Sequence, residues 1–496
     1  MAAERNLADL FAQLWHELAG DLSRFEEILE QHTHERSRVL YWAGLLDEEI
    51  AAAGAYALTL LSERLARSDE FRTDTAVLIA QAIDRWYGRL SSEISTPAIR
   101  DVLLARANRT LLKTGRFNTD SGLGYVLPKR PRWGRWSDPD LELPNGAHSV
   151  WETFKSLIVA PAEIAASDPD DPSHARTVRF SYRLVDPTIL RAVEPDWQPV
   201  IGFAPLAEAP DDLDIRLVKE DGKHWYDAQV RDLGSRAATT VQVLCEAGAH
   251  IIVFPELVMH PEALQAIRRA IATHGPRSQL RLVLAGTSRQ PSGGSRPLNE
   301  ARLFNHRGTE IARQCKLHRW NLPHDLRKRY GLDDTSLDGT AALFEFMTPG
   351  EEILVVEQSQ FGRLAVMVCE DLGRSEPGHW LREHMLLDWL LTPILDSSMN
   401  PDRWMAQCGS KAALGGRCRV IVANSFSLTH RQNVQNRKTG KPTLNECGVG
   451  LCIDLAHGIA RYSLRYLAME SPSGGSCTVR WDPERWAECP KRPLPI

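Results

Sequence analysis

Several things are scarce or missing in this sequence. No stretch approaches the roughly 18 consecutive apolar residues that a helix needs to span a bilayer, so no membrane-spanning helix is expected. Basic residues (59) do not outnumber acidic ones (64), and a formal net charge of −5 gives no global electrostatic case for binding nucleic acid. The nine cysteines are odd in number, scattered, and contain no Cys-x-x-Cys pair. That pattern favours free thiols in a reducing compartment over a disulfide framework. Cys447 and Cys452 are spaced like half a metal site, but no second pair or histidine cluster completes it, and neither metal nor cofactor is expected. There is no internal repeat and no low-complexity tract. The opening residues, MAAERNLADLFAQLWHELAG, carry early acids and no continuous apolar core, unlike a secretory signal. A cytoplasmic location is the expectation.

What remains is an ordinary globular composition, with 43% hydrophobic and 25% charged residues over 496 positions. As a soft prior this length means two to four domains and at least one large core. Residues 1–115 read as an all-α bundle. Leu7, Leu10, Phe11, Leu14, Trp15 and Leu18 fall on one helical face. Further helices are predicted over 37–67, 74–90 and 97–113, the last opening on Thr96-Pro97 as an N-cap and first-turn proline. Residues 116–195 read as a linker or arm and a bridging segment. Within it, Lys129, Arg130, Arg132, Trp133, Arg135 and Trp136 interleave base and ring, a pattern able to hold single-stranded nucleic acid. The neighbouring acids in SDPDLE cancel that charge, which favours an arm packing its tryptophans on a neighbouring domain. From 196 to 496 the texture is α/β. Apolar runs QPVIGFAPL, HIIVFPEL, LRLVLAGTSR, LAVMVCED and CRVIVANSF read as strands covered on both faces, and 227–249 reads as a helix ending at Gly248.

Two of these runs and a further strand-like segment, EIARQC, end in reactive side chains: Glu256 after IIVFP, Cys369 after LAVMV and Lys316 after EIARQC. Singly, each has a bland reading as loop acid, surface lysine or core cysteine. Together they form a chemical set. A thiol with the ordinary pKa of about 8.5 is mostly protonated at neutral pH. A carboxylate can take its proton and later return one to a leaving amine. An ammonium can stabilise a tetrahedral oxyanion, assisted by the backbone N–H after the nucleophile, here that of Glu370.

These residues, standing as Phe254-Pro255-Glu256, Lys316-Leu317-His318 and Cys369-Glu370-Asp371, resemble the nitrilase superfamily of carbon–nitrogen hydrolases in type, order and approximate spacing. The form CEDLG is most similar to the glutaminase domains within it. The resemblance covers residues 196 to about 480. It implies an α-β-β-α sandwich, usually paired into dimers or larger assemblies, and a thioester mechanism on a small-molecule amide or nitrile. It also implies a second glutamate shortly before a Pro-Gly, matched by Glu345, and a structural strand-end asparagine, matched by Asn424. Asn305-His306-Arg307-Gly308 fits the family's hairpin turn before the lysine, and Asp371 is expected to anchor the turn that holds the cysteine. The stretch after Lys316 carries His318, Arg319, His324, Arg327, Lys328 and Arg329. As a lid over the pocket it would suit an anionic substrate, with His318 and Arg319 as substrate-binding candidates. A helix from Trp380 to Leu391 is the expected subunit-pairing surface. The alternative reading makes this domain a sensor or assembly module for the helical one in a bacterial defence or signalling protein.

Overall fold

The computed structural model describes residues 7–19, positions within 76–84, 124–128, 154, 156–167, most of 175–191 and, with breaks of which 333–342 is the longest, 197–489. The helices expected over 37–67 and 97–113 and the basic-aromatic arm at 129–136 lie outside the described residues. Two compact units divide the chain. The first runs to Ile164 and takes in Tyr182–Leu184 and His384–Leu386, and the second comprises the rest.

In the first unit, α1 (Leu7–Ala19) buries Leu10, Phe11, Leu14, Trp15 and Leu18, the face read from the three/four spacing. Phe154 packs edge-on to Phe11 with ring centres 5.1 Å apart. Ala76, Val77, Ile79, Ala80 and Ile83 are helical and buried, within the third expected helix. The unit also holds an antiparallel pair, β1 (Tyr125–Pro128) and β2 (Leu157–Ala160), in the segment expected to be linker. Both are short apolar runs, and the Asp84 carboxylate accepts the Ser156 and Leu157 amides at the start of β2.

The second unit is built on two large sheets. One has seven strands. Its outer three are β11 (Glu310–Cys315), β10 (Leu298–Asn305) and β9 (Leu282–Gln290), followed by β8 (Ile251–Val253), β5 (Val200–Phe203), β20 (Cys477–Asp482) and β21 (Arg485–Glu488). The other has eight, in the order β19 (Tyr462–Met469), β18 (Cys447–Leu455), β17 (Arg419–Ala423), β16 (Trp389–Pro393), β15 (Gly362–Val366), β14 (Glu352–Gln358), β4 (Ala175–Val185) and β3 (Glu163–Ser167). Thus two strands upstream of residue 196 join this sheet. The parallel centres, β5-β8-β9 and β15-β16-β17, are buried nearly throughout, as sheets covered on both faces require.

Helices α2 (Gly234–Glu246) and α3 (Pro261–His274) cover the seven-stranded sheet. Ala237, Val241 and Leu244 of the first and Ala263, Ile267 and Ile271 of the second repeat at helical spacing and enter one apolar cluster with Ile252, Phe254 and Val283. Pro261 sits in the first turn of α3, and the His260 ring accepts the Glu262 amide. On the other sheet, α6 (Trp404–Gly416) sets Gly409 against Ile453 and Val420. The inner faces meet where Phe203 lies over Gly450, so close that a Cβ there would come within 2.8 Å of the ring. The layers are therefore helix, sheet, sheet, helix.

Two expectations are corrected here. Asp227–Val230 belong to a strand: β6 (Leu213–Glu220) and β7 (Lys223–Val230) form a hairpin, and the helix starts only at Gly234. Asp221-Gly222, both at positive φ (50° and 74°), make its tight turn, the Asp-Gly signature of a two-residue hairpin loop. The hairpin pairs through β7 with β13 (Leu343–Glu345) and so with β12 (Asn321–Leu322), forming a third, four-stranded sheet. Second, the helix after Pro377 (Gly378–His384) is short, and Leu387 and Trp389–Leu391 are interior, with Trp389–Pro393 a central strand. That part of the expected pairing surface is core, which its continuous apolar run required.

Candidate active site

Four side chains from four strand ends meet inside the second unit. Lys316 Nζ donates to Glu256 Oε1 at 2.8 Å and to Glu345 Oε2 at 2.7 Å. Asn299 Nδ2 ties the same two carboxylates together, at 2.9 and 3.1 Å. Cys369 lines the same pocket as Glu256, and the Glu256 charge raises its thiol. Glu256, Lys316 and Glu345 are 1–2% exposed and Cys369 7%.

Each group has a built seat. Glu256 follows β8, where Phe254 N–H donates to Leu284 O, Glu256 N–H to Ile394 O and Leu257 N–H to Thr287 Oγ1. β9 passes so near that a Cβ on Gly286, at φ +67°, would lie 2.1 Å from Pro255 O. Lys316 directly follows β11, its N–H held by Asn299 O. Cys369 lies three residues beyond β15 at φ +50°, a left-handed conformation costly for a residue with a Cβ and characteristic of functional turns. A single 3-10 turn, Cys369–Leu372, begins there. The Asp371 carboxylate accepts Val368 N–H from the cysteine strand and Leu317 N–H, His318 N–H and His318 Nδ1 from the lysine strand. Asp371 is thus the clamp that fixes nucleophile and ammonium relative to each other. The Glu370 amide stands at the start of the turn, where the first N–H groups have no partner within it, and its carboxylate leaves the site to pair with Arg374.

The electrostatics follow from burial and contact. Burial pushes the Cys369 thiol well above the usual range, the Glu256 charge adds to this, and Lys316 opposes it. Burial likewise raises Glu256 against the pull of Lys316. Burial alone would lower Lys316, but Glu256 and Glu345 outweigh it and hold the ammonium well above its ordinary value. Burial would raise Glu345, yet Lys316 and Arg289 hold it below 4.5. Arg289 reaches Glu345 at 3.5 Å and Asp227 at 3.1 Å. The site is a permanent ammonium between one firm carboxylate and one primed to hold a proton, with a neutral thiol beside the latter.

A pocket of ≈ 390 Å³, its mouth included, opens onto Glu256, Lys316, Glu345 and Cys369. Its walls are Ile215, Ala228, Leu257, Leu322, Leu395 and Leu428, with the rings of Tyr226, Trp320 and Tyr330. His318 and Arg319 face elsewhere. The His318 ring is on Asp371, and Arg319 donates to Met347 O and lies 5.2 Å over Trp225. Among the described residues, His324, Arg327, Lys328 and Arg329 do not line the cavity either; Arg327 is buried and Arg329 pairs with Asp325. The basic lid expected from the sequence is absent from the described walls, because α4 (His324–Arg329) buries Arg327 against His324 and leaves Lys328 and Arg329 exposed.

Sequence reading passed over Asn299, Arg289 and Tyr226. Asn299 and Arg289 are direct partners across β9 and β10. Their signal was a polar side chain breaking a strand otherwise read as interior. Asn424 accepts Asp396 N–H and donates to Gly448 O, joining β17 to its neighbours and lying outside the pocket.

No family model matches the chain, and no curated protein matches it. Among solved structures it is similar to Saccharomyces cerevisiae Nit3, described as a member of branch 10 of the nitrilase superfamily, with 12% identity over 57% of this chain and 92% of that one and a TM-score of 0.32. It is similar to the C. elegans NitFhit protein, with 16% identity over 56% and 62% and a TM-score of 0.37. A mutant amidase from Nesterenkonia sp. AN1, showing covalent addition of the acetamide moiety of fluoroacetamide at its active-site cysteine, shares 12% identity over 56% and 94% with a TM-score of 0.34. Likenesses at these values set neither fold nor chemistry for this chain, which stand on its own strands and side chains.

Proposed function

We propose that this protein is a thiol hydrolase of non-peptide carbon–nitrogen bonds, acting on amides in preference to nitriles through a thioester. The observation that carries the reading is the single buried cluster in which Lys316 bridges Glu256 and Glu345 at 2.7–2.8 Å while Cys369 opens onto the same pocket. Glu256 accepts the thiol proton as the sulfur attacks the carbonyl carbon. Lys316 and the Glu370 amide hold the oxyanion. The tetrahedral adduct collapses, the carbon–nitrogen bond breaks, and the amine leaves with the proton from Glu256. Water then gives Glu256 a proton as it attacks the thioester, and that proton returns to the departing sulfur, leaving acid and amine. Glu345 never reacts; it fixes Lys316 from the side opposite Glu256. An amine leaving group requires a proton donor, and burial favours the protonated form of Glu256, which supports amides over nitriles.

The test is to trap the acyl-enzyme. Wild-type protein incubated with pooled amides and quenched in acid is expected to show an acyl adduct on the Cys369 peptide by mass spectrometry, and Glu256→Gln protein is expected to show none. A wild-type protein that releases no ammonia from broad amide and nitrile panels and forms no such adduct would sink the proposal.

A further inference from the structure

The β6–β7 hairpin lies between the first strand of the seven-stranded sheet and the helix that covers it, and it takes part in neither layer. It instead pairs with β13, the strand that carries Glu345, in the register Phe344 with Trp225 and Glu345 with Tyr226. This lays Ile215, Tyr226 and Ala228 along one wall of the pocket.

Two tyrosines face that cavity and they differ. The Tyr330 hydroxyl donates to Ser397 Oγ at 3.0 Å. The Tyr226 ring packs edge-on against Trp320 with ring centres 5.9 Å apart, and its hydroxyl meets no hydrogen-bonding partner among the described residues. A buried phenol ordinarily finds a partner. Burial, with Glu345 next in weight, keeps Tyr226 protonated well beyond neutral pH, so it is a hydrogen-bond donor beside Lys316. The remaining walls are apolar. The two cations nearest the site are already spent, Lys316 on Glu256 and Glu345, Arg289 on Asp227 and Glu345. Among the described residues, a carboxylate on the acyl chain would be buried there with no unpaired cation to meet it, a cost that apolar walls do not recover.

We propose that the hairpin is the specificity element of the site: its Ile215 and Ala228 select amides of uncharged, apolar acids, and the Tyr226 phenol is a catalytic residue that donates to the oxygen of the carbonyl under attack. This rests on the thiol-hydrolase reading, but it can be tested without turnover. An aldehyde adds the Cys369 thiol across its C=O: a sulfur–carbon bond forms, the π pair moves to oxygen, and oxygen takes the thiol proton. The resulting thiohemiacetal places oxygen where the oxyanion would stand.

The experiment measures protection of Cys369 from iodoacetamide, by peptide mass, with butanal and with succinic semialdehyde. The second is the same four-carbon aldehyde ending in a carboxylate. Each variant is read against its own unprotected alkylation rate. Butanal is expected to half-protect the wild type at a concentration at least tenfold below that of succinic semialdehyde. Tyr226→Phe is expected to raise the butanal requirement by about tenfold or more, in line with the loss of one oxyanion donor. Ala228→Trp is expected to abolish protection by butanal and keep it with acetaldehyde. Succinic semialdehyde protecting as well as butanal, or Tyr226→Phe requiring no more butanal than wild type, would overturn the inference. The wild-type aldehyde pair stands even should a variant fail to fold. Normal aldehyde protection combined with no acyl-enzyme from any amide would instead count against the hydrolase reading alone.

Discussion

The floor and the wall of the pocket are made in different ways. The floor comes from the two large sheets, where reactive groups are carried at the ends of β8, β11 and β15 and locked by backbone hydrogen bonds, among them Glu256 N–H to Ile394 O and the Asp371 clamp. The wall comes from the small four-stranded sheet, where side chains meet the cavity from the middle of strands. A group seated by backbone cannot move without moving a sheet. A side chain on a hairpin can be exchanged while the hairpin stays. On the function proposed above, the floor fixes the reaction and the wall sets which molecule undergoes it. Glu345 belongs to both, since β13 is bonded to the hairpin and its carboxylate to Lys316.

The largest effect is expected from taking the cation out of the floor. Lys316→Met leaves Glu256 buried without the cation it pairs with, and Glu345 with Arg289 alone, which should cost about 3–5 kcal/mol in urea unfolding and remove activity. Cys369→Ala should equally abolish activity yet leave the unfolding midpoint within experimental error or above it, because it relieves a residue at φ +50° of a thiol, not of a seat. Equal stability for Lys316→Met and wild type would break the account of the floor.

Next in size is Gly286→Ala. A methyl group 2.1 Å from Pro255 O, on a backbone at φ +67°, must push the Glu256 loop off β9. We expect at least a hundredfold loss in kcat/KM, accompanied by about 1–3 kcal/mol of destabilisation. Asp371→Asn keeps the shape but weakens acceptance from four N–H groups, and should lower kcat with little change in KM. Full activity in either variant would show that backbone seating is not what positions the floor.

The floor was also the legible part. Apolar runs ending in Glu256, Lys316 and Cys369 announce themselves because a buried strand tolerates few polar residues, and its end is where such residues stand. The wall was hidden. LDIRLVKE begins by alternating in burial as a half-exposed strand does, but KHWYDAQV buries four residues in a row and its end also fits a helix, so only the Asp-Gly turn between them decides the matter. The basic run after Lys316 misled for a related reason. Sequence shows that charges cluster but not which way a short helix turns them, and here α4 pairs Arg329 with Asp325 and Arg327 with His324. Asn299 and Arg289 were missed because a site residue two strands away leaves no local pattern, only an unexplained polar side chain. The clamp is half legible: Asp371 reads as the anchor of the cysteine's turn, as its bond from Val368 N–H bears out, but its hold on Leu317 and His318 does not show in the sequence.

A smaller effect sharpens the electrostatics of the floor. After burial, the charge on Glu256 is the largest influence raising the Cys369 thiol, and Lys316 the largest lowering it. Glu256→Gln removes the first and keeps the second. The pH profile of iodoacetamide alkylation at Cys369 should therefore move to lower pH in this variant, although hydrolysis is lost. The same substitution leaves the hairpin of the wall untouched, and among the described residues Ile215, Tyr226 and Ala228 bring no charge to the pocket. A profile that moves upward or stays in place would mean that the carboxylate is neutral in the resting protein. In that case the proton shared between Glu256 and Cys369 would rest on the oxygen, and the thiol would already be held as a thiolate by Lys316.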